Sequence, residues 1–347
     1  MKRRSAAREC SCLRALREQQ SCEAARRTYT AGRQQSGCQR RACTPDGTRT
    51  SDTSRHEHEA AQRGAGMLMP ASAAKQRQGN YIMMEMISEL NNLTESRIVP
   101  IQVRNLTLGD GIPKICAPVV APDPEQLEKT LAQLEGTRDF YDLVELRADI
   151  YPFDGIQELS ESLRRLRKAV GDKPILFTFR TKKEGGNRDV SFDLYREMNL
   201  CAAQEGADLI DLQLSMMEGD RMSLLSDIHG RGAHVIGSFH DFHGTPPADE
   251  LVKKMAGMQM AGFDITKAAV MPKDREDVLE LLFASVQMQE EWADRPFITM
   301  SMGSLGSMTR VCGTFSGSCI TFGTIGGESA PGQLKAEVLR TVLPSLQ

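Results

Sequence analysis

PILFTFRTKKEGGNRDVSFDLYREMNLCAAQEGADLIDLQL, residues 174–214, reads as strand, helix, strand. PILFTFR (174–180) and ADLIDLQL (207–214) are near-continuous apolar runs of strand length, and the segment at about 191–205 has helical spacing of its apolar residues. A strand that is apolar along its whole length is covered on both faces, as strands of parallel sheets are. A helix between two such strands is the crossover that parallel pairing requires.

The unit recurs outward from there. KICAPVVA (114–121) precedes a helix in PDPEQLEKTLAQLEG, and DLVELRAD (142–149) precedes one at about 156–171. On the other side, helices are predicted at about 217–231 after ADLIDLQL, at 247–261 after AHVIGSF (233–239), and at 274–292 after FDITKAAV (263–270). PFITMSM (296–302) precedes a short helix near 304–311, and SCITFG (318–323) precedes the last, at about 333–343. Eight β–α units in one domain are the arithmetic of a (β/α)8 TIM barrel. A doubly wound open sheet is the competing architecture, but its first turn is rich in glycine, and VVAPDPEQ (119–126) has none. Ahead of the barrel, IVPIQVRNLTLGDG (98–111) alternates apolar and polar residues, the mark of a short β-ribbon, expected to cover one end of the barrel.

Residues 1–80 have a different composition: 16 Lys and Arg against 7 Asp and Glu, with no Ile, Val, Phe or Trp. Such a segment cannot bury enough apolar surface to offset its ordering entropy, about 1–2 kcal/mol per residue. Residues 1–82 are therefore expected to be a disordered basic segment, and 98–347 the catalytic domain. The readings open for the segment are upstream sequence with translation starting near Met83, Met84 or Met86, a genuine tail, or a basic arm.

The 347-residue chain has a net charge of -3, which argues against a nucleic-acid partner for the protein as a whole. No run approaches 18 apolar residues, so no membrane partner is expected. Five of the nine cysteines lie in the first 43 residues, and Cys116, Cys201, Cys312 and Cys319 are widely spaced. That is neither a zinc spacing nor a disulfide framework, and it suggests a reducing, cytoplasmic setting.

Barrel chemistry gathers at the C-terminal ends of the strands. There the sequence places Glu145, Arg147 and Asp149, then Arg180 with Glu184 just beyond, then His240, Lys267, Arg310, and the loop carrying Ser329 and Gln333. Lys267 sits inside an apolar strand run. Out of water and near other cations, a lysine becomes a neutral nucleophile toward a carbonyl; alternatively its stem packs and its ammonium reaches water. His240 can shuttle a proton or be a hydrogen-bonded structural residue. Glu184 can orient His240 or pair with Lys182. Arg147 and Arg180 can clamp an anion or pair with Glu145 and Asp149. Arg310 can bind an anion or stabilise a helix end, and Ser329 and Gln333 can be ordinary turn residues.

ELRAD (145–149), FTFRTKKEGG (177–186), SFHDFHGTP (238–246), ITKAAVMP (265–272), ITMSMG (298–303), TFG (321–323) and SAPGQ (329–333) together resemble the type I 3-dehydroquinate dehydratases, from about Ile98 to Leu343. The resemblance implies a (β/α)8 barrel without cofactor or metal, usually a homodimer. It implies dehydration of 3-dehydroquinate to 3-dehydroshikimate through a lysine Schiff base in the shikimate pathway. By the same resemblance Lys267 forms the imine, His240 transfers protons and Glu184 partners His240, while Glu145, Arg147, Arg180, Arg310, Ser329 and Gln333 bind substrate. Pro118 stands where some members have a substrate-contacting serine, and Gln213 where a glutamate is common. The alternatives are another Schiff-base barrel lyase of the class I aldolase kind and a non-catalytic binding barrel.

Overall fold

The computed structural model describes residues 97–151 and 153–347; the disorder expected for residues 1–82 lies outside them. A hairpin of β1 (Ile101–Val103) and β2 (Leu106–Leu108) comes first, paired antiparallel. Eight strands then alternate with helices: β3 (Lys114–Val119), β4 (Leu143–Arg147), β5 (Ile175–Thr178), β6 (Leu209–Gln213), β7 (His234–Asp241), β8 (Ile265–Val270), β9 (Phe297–Ser301) and β10 (Ile320–Thr324). All neighbouring pairs are parallel, with β10 returning beside β3. The ring closes between β9 and the start of β10 through the Phe297–Ser318 bridge, where Cys319 N–H donates to the Phe297 carbonyl at 2.9 Å. The (β/α)8 barrel read from the sequence is the fold.

Helices cover the outside. In α1 (Pro124–Gly136), Pro124 opens the first turn and the Asp123 side chain caps the Gln126 N–H, satisfying a donor the helix cannot reach itself. In α2 (Ile156–Val170), Leu159, Leu163, Leu166 and Val170 recur at three- and four-residue spacing and are buried against the sheet. Ser191 caps α3 (Phe192–Gln204), and Asp274 caps α6 (Arg275–Gln287). Between them come α4 (Ser223–His229) and α5 (Ala248–Ala261); the short α7 (Gly313–Ser316) and α8 (Ala336–Val342) follow.

Four helices differ from the sequence reading, one of them the short helix expected near 304–311, which is a 3₁₀ turn over Ser307–Arg310 followed by α7 at Gly313–Ser316. The helix expected over 217–231 is interrupted: Gly219 takes a φ of 62°, and a 3₁₀ turn over Gly219–Met222 precedes α4. The long helix expected over 274–292 widens after Gln287 into a π turn, Met288–Trp292. The last helix begins at Ala336, because Leu334–Lys335 forms a further strand, β11, parallel to β10.

The inside of the barrel is built in layers, since inward positions recur every second residue along each strand. Cys116, Leu143, Leu176, Leu209, Ile236, Ile265, Ile298 and Ile320, one from each strand, belong to one buried cluster, together with Val103 and Leu108 of the hairpin. The ribbon therefore plugs the N-terminal end of the barrel. Two residues further along the same strands the layer turns polar: Glu145, Thr178, Asp211, Ser238 and Lys267, all buried.

Candidate active site

The polar layer continues upward into Arg147, Arg180 and His240, and opens on a cavity lined also by Phe242, Met302 and Gln333. A roomier surface hollow between α2 and α3, lined by Ser160 and Cys201 among others, contains none of the residues read as chemical.

Lys267 is 3% exposed. Its Nζ donates to Asp211 Oδ2 at 3.1 Å and lies 4.7 Å from the centre of the Phe322 ring. The nitrogen does not reach water along its stem; it is held within the barrel. Burial opposes ionisation of Asp211, but Arg180, Lys267 and the Ser238 hydroxyl outweigh it and hold the carboxyl below the usual carboxylate range.

His240 stands on the neighbouring strand, with Nδ1 3.0 Å from Glu184 Oε2. That contact leaves Nε2 for the cavity and fixes the ring. Burial, with Arg180 and Lys267 adding to it, pushes the imidazole well below the ordinary histidine value, which favours the uncharged ring. Burial likewise raises Glu184, against the opposing pull of Arg180 and the Ser215 hydroxyl. The glycines after Glu184 are required by close packing: a Cβ on Gly186 would sit 1.8 Å from the Arg180 carbonyl, and one on Gly185 2.1 Å from the Phe242 ring. Lys182 is exposed and does not pair with Glu184; its backbone N–H bonds Asp189. Asp241 does not orient His240; its carboxylate accepts the N–H groups of His243 and Gly244, closing a turn in which His243 is exposed.

The arginines divide by partner. Arg147 is gripped by both oxygens of Asp149, at 2.8 and 2.9 Å, and its remaining arm donates to the Ser329 carbonyl at 2.8 Å. Arg180 donates to Asp211 Oδ1 and to Ser238, each at 2.9 Å. The anions between these neighbouring cations are the protein's own aspartates. Glu145 accepts from the Thr178 hydroxyl at 2.8 Å. Arg310, the last residue of a 3₁₀ turn over Ser307–Arg310, is 2% exposed and donates once, to the Pro331 carbonyl at 3.0 Å. Its Nε and Nη1 are buried without a partner, and burial lowers its pKa to about 10. Gln333 and Ser329 bond each other twice, at 2.9 and 3.0 Å, bracing the loop that covers the cavity.

The sequence reading thus brought Lys267, His240, Glu184, Glu145, Arg147, Arg180, Ser329 and Gln333 together around one cavity, with Arg310 reaching the same loop from beside it. It passed over Asp211, the carboxylate that joins Lys267, Arg180 and Ser238. The signal was available in LIDLQ: a charged residue inside an apolar strand is as anomalous for an aspartate as for a lysine.

A (β/α)8 barrel with a buried lysine, a carboxylate-braced histidine and inward arginines at the C-terminal mouth defines a barrel enzyme. Comparison with known proteins narrows this. The profile of the family described as type I 3-dehydroquinase matches residues 115–347. A 3-dehydroquinate dehydratase of Clostridium kluyveri is 42% identical over 246 residues, covering 70% of this chain and 96% of that protein. One from Syntrophotalea carbinolica is 43% identical over 245 residues, with the same coverage. The crystal structure of a type I 3-dehydroquinate dehydratase from Clostridium difficile with covalently modified comenic acid aligns with a TM-score of 0.68 at 40% identity, over 72% of this chain and 98% of that one. The chain belongs to the type I 3-dehydroquinase family.

Proposed function

We propose that this barrel dehydrates 3-dehydroquinate to 3-dehydroshikimate, a shikimate-pathway reaction, with Lys267 and His240 carrying the chemistry. The observation that supports it most is a buried lysine on β8 beside a Glu184-braced histidine on β7, both lining one cavity. Lys267 Nζ adds to the C3 ketone and water leaves, giving an iminium. That group draws electrons far better than a ketone, so the C2 proton becomes removable. His240 takes it through Nε2, and the electron pair forms the enamine. The enamine expels the C1 hydroxyl, which leaves as water with the proton from His240. Water then adds to the conjugated iminium, releasing 3-dehydroshikimate and Lys267. The sum is substrate to product plus one water.

Arg310, with two unpartnered guanidinium nitrogens, suits the substrate carboxylate. Glu145, Arg147 and Arg180 address the ring hydroxyls. Ser329 and Gln333 bring the covering loop onto the substrate, which excludes water. The family relationship and four free cysteines among the described residues support a homodimer in a reducing, cytoplasmic setting. Borohydride reduction in the presence of 3-dehydroquinate, followed by peptide mapping, tests the assignment. The expected adduct is on Lys267; an active enzyme modified elsewhere, or not at all, would refute it.

A further inference from the structure

Asp211 has no exposed surface, and its two oxygens are divided. Oδ1 accepts from Arg180 at 2.9 Å and from the Ser238 hydroxyl at 2.5 Å. Oδ2 is left to Lys267 Nζ, at 3.1 Å. We infer that Asp211 is a positioning residue of the reaction, a fixed counter-ion that aims the Lys267 nitrogen and holds positive charge on it. The inference rests on Lys267 being the imine-forming residue.

A lysine nitrogen rides on a flexible four-carbon stem. Among the described residues Asp211 is the only acceptor that reaches it, and the Phe322 ring lies 4.7 Å from it. Those two contacts set the direction from which a carbonyl can be met.

The charge balance gives Asp211 a second part. An ammonium and a ketone combine to an iminium and water, so the nitrogen carries one positive charge before and after the step. The same carboxylate therefore neutralises both states without moving. When His240 removes the C2 proton, the charge leaves the nitrogen and appears on the imidazole, beside Glu184. Two carboxylates thus stand at the two ends of the transfer. Asp211 does not itself take the proton, because Arg180 and Ser238 already hold its other oxygen and its carboxyl lies below the usual range. The other groups facing this pair are Glu145 and Arg147 from β4, Cys116 from β3, Glu184 from the turn after β5, and His240 from β7.

The test is Asp211→Asn in the full chain, which keeps the shape and removes the charge. Borohydride-trapped adduct is measured in single turnovers across the neutral pH range. The adduct is expected on Lys267, forming on the order of tenfold slower or worse. Its pH dependence is expected to move toward lower pH, because an amine without its counter-ion gives up its proton more readily. Asp211→Glu, which keeps the charge but moves it, should slow adduct formation with the pH dependence in place. An unshifted pH dependence in Asp211→Asn overturns the inference whatever the rate, since a merely structural aspartate changes the folded fraction and not the titration. If Asp211→Asn does not fold, Asp211→Glu decides: adduct formation at the wild-type rate overturns the inference. A wild-type adduct on another lysine would instead refute the imine assignment.

Discussion

His240 Nδ1 and Glu184 Oε2 are joined across 3.0 Å, the histidine from β7 and the glutamate from the turn after β5. The bond leaves Nε2 as the nitrogen facing the cavity, and in the proposed reaction the carboxylate would stabilise the imidazolium formed when the C2 proton is taken. His240→Ala should cut turnover by about 10²–10⁴-fold, the usual contribution of a general acid–base group. In the proposed reaction His240 acts after and around imine formation, so the variant should still accumulate borohydride-trappable adduct. Near-wild-type turnover would move the base to another group.

Glu184→Gln tests the electrostatic half of the pair. A carboxylate beside an imidazole favours its protonated form, and a neutral amide does not. The histidine, already lowered by burial, should fall further. The acid limb of kcat/KM against pH should therefore move to lower pH, with a lower plateau because the imidazolium intermediate has lost its partner. An acid limb that stays in place or moves up would show that Glu184 does not govern His240.

The same depression has a consequence for stability. The unfolded chain binds a proton at the ordinary histidine value, while folded His240 binds one only well below it. Between those two values the unfolded state holds more protons, so His240 makes stability fall as pH falls through that window. His234, with the Asp264 carboxylate 3.8 Å from its Nδ1, is raised and contributes with the opposite sign, its stabilisation being lost as pH rises. Comparing unfolding midpoints of wild type and His240→Asn across the window isolates the first effect: the variant should lose less stability on acidification than wild type does.

How much of this could be read beforehand depends on period. Apolar runs such as LVELR and ITKAAV gave the strands, because burial on both faces leaves an unbroken signal. The rim residues were visible as polar interruptions at strand ends. Two things were hidden. The grip of Asp211 on Arg180 depends on which side chains meet across strands, and the sequence order does not show that, whereas the pairing of Arg147 with Asp149, two residues along the same strand end, was among the readings the sequence left open. Asp211 itself becomes legible only when the strands are aligned by inward position, where it falls in the same layer as Glu145 and Lys267, two residues above Leu209. The break at Gly219 and the β11 pairing turn on local backbone conformation rather than on apolar spacing.

Arg310 is the cation with unpartnered buried nitrogens among the described arginines of the mouth. Arg310→Ala should raise KM strongly, with about 1.5–3 kcal/mol of binding lost, the range for hydrogen bonds to charged groups. An analogue without the carboxylate should bind wild type and variant about equally. A variant that still prefers the carboxylated ligand as wild type does would assign that contact to Arg147 or Arg180.

The hairpin ahead of the barrel separates two truncations. Deleting residues 1–82 removes a segment whose composition offers little to bury, so turnover and thermal midpoint should stay close to those of the full chain; loss of folding would make that segment structural. Deleting residues 1–113 removes β1 and β2 as well. Val103 and Leu108 are 3% and 0% exposed and pack with the lowest layer of the barrel, Leu143, Leu176 and Leu209 among them. Fully burying a side chain of this kind stabilises by about 1.5–3 kcal/mol, so losing two costs on the order of 3–6 kcal/mol before the exposed barrel floor is counted. That is a large share of the 5–15 kcal/mol typical of a folded domain. The shorter chain should unfold at markedly lower temperature or fail to fold, while the side chains proposed for catalysis, which stand at the opposite end of the strands, remain in its sequence. Equal thermal midpoints for the two truncations would show that the ribbon is not the floor of this barrel.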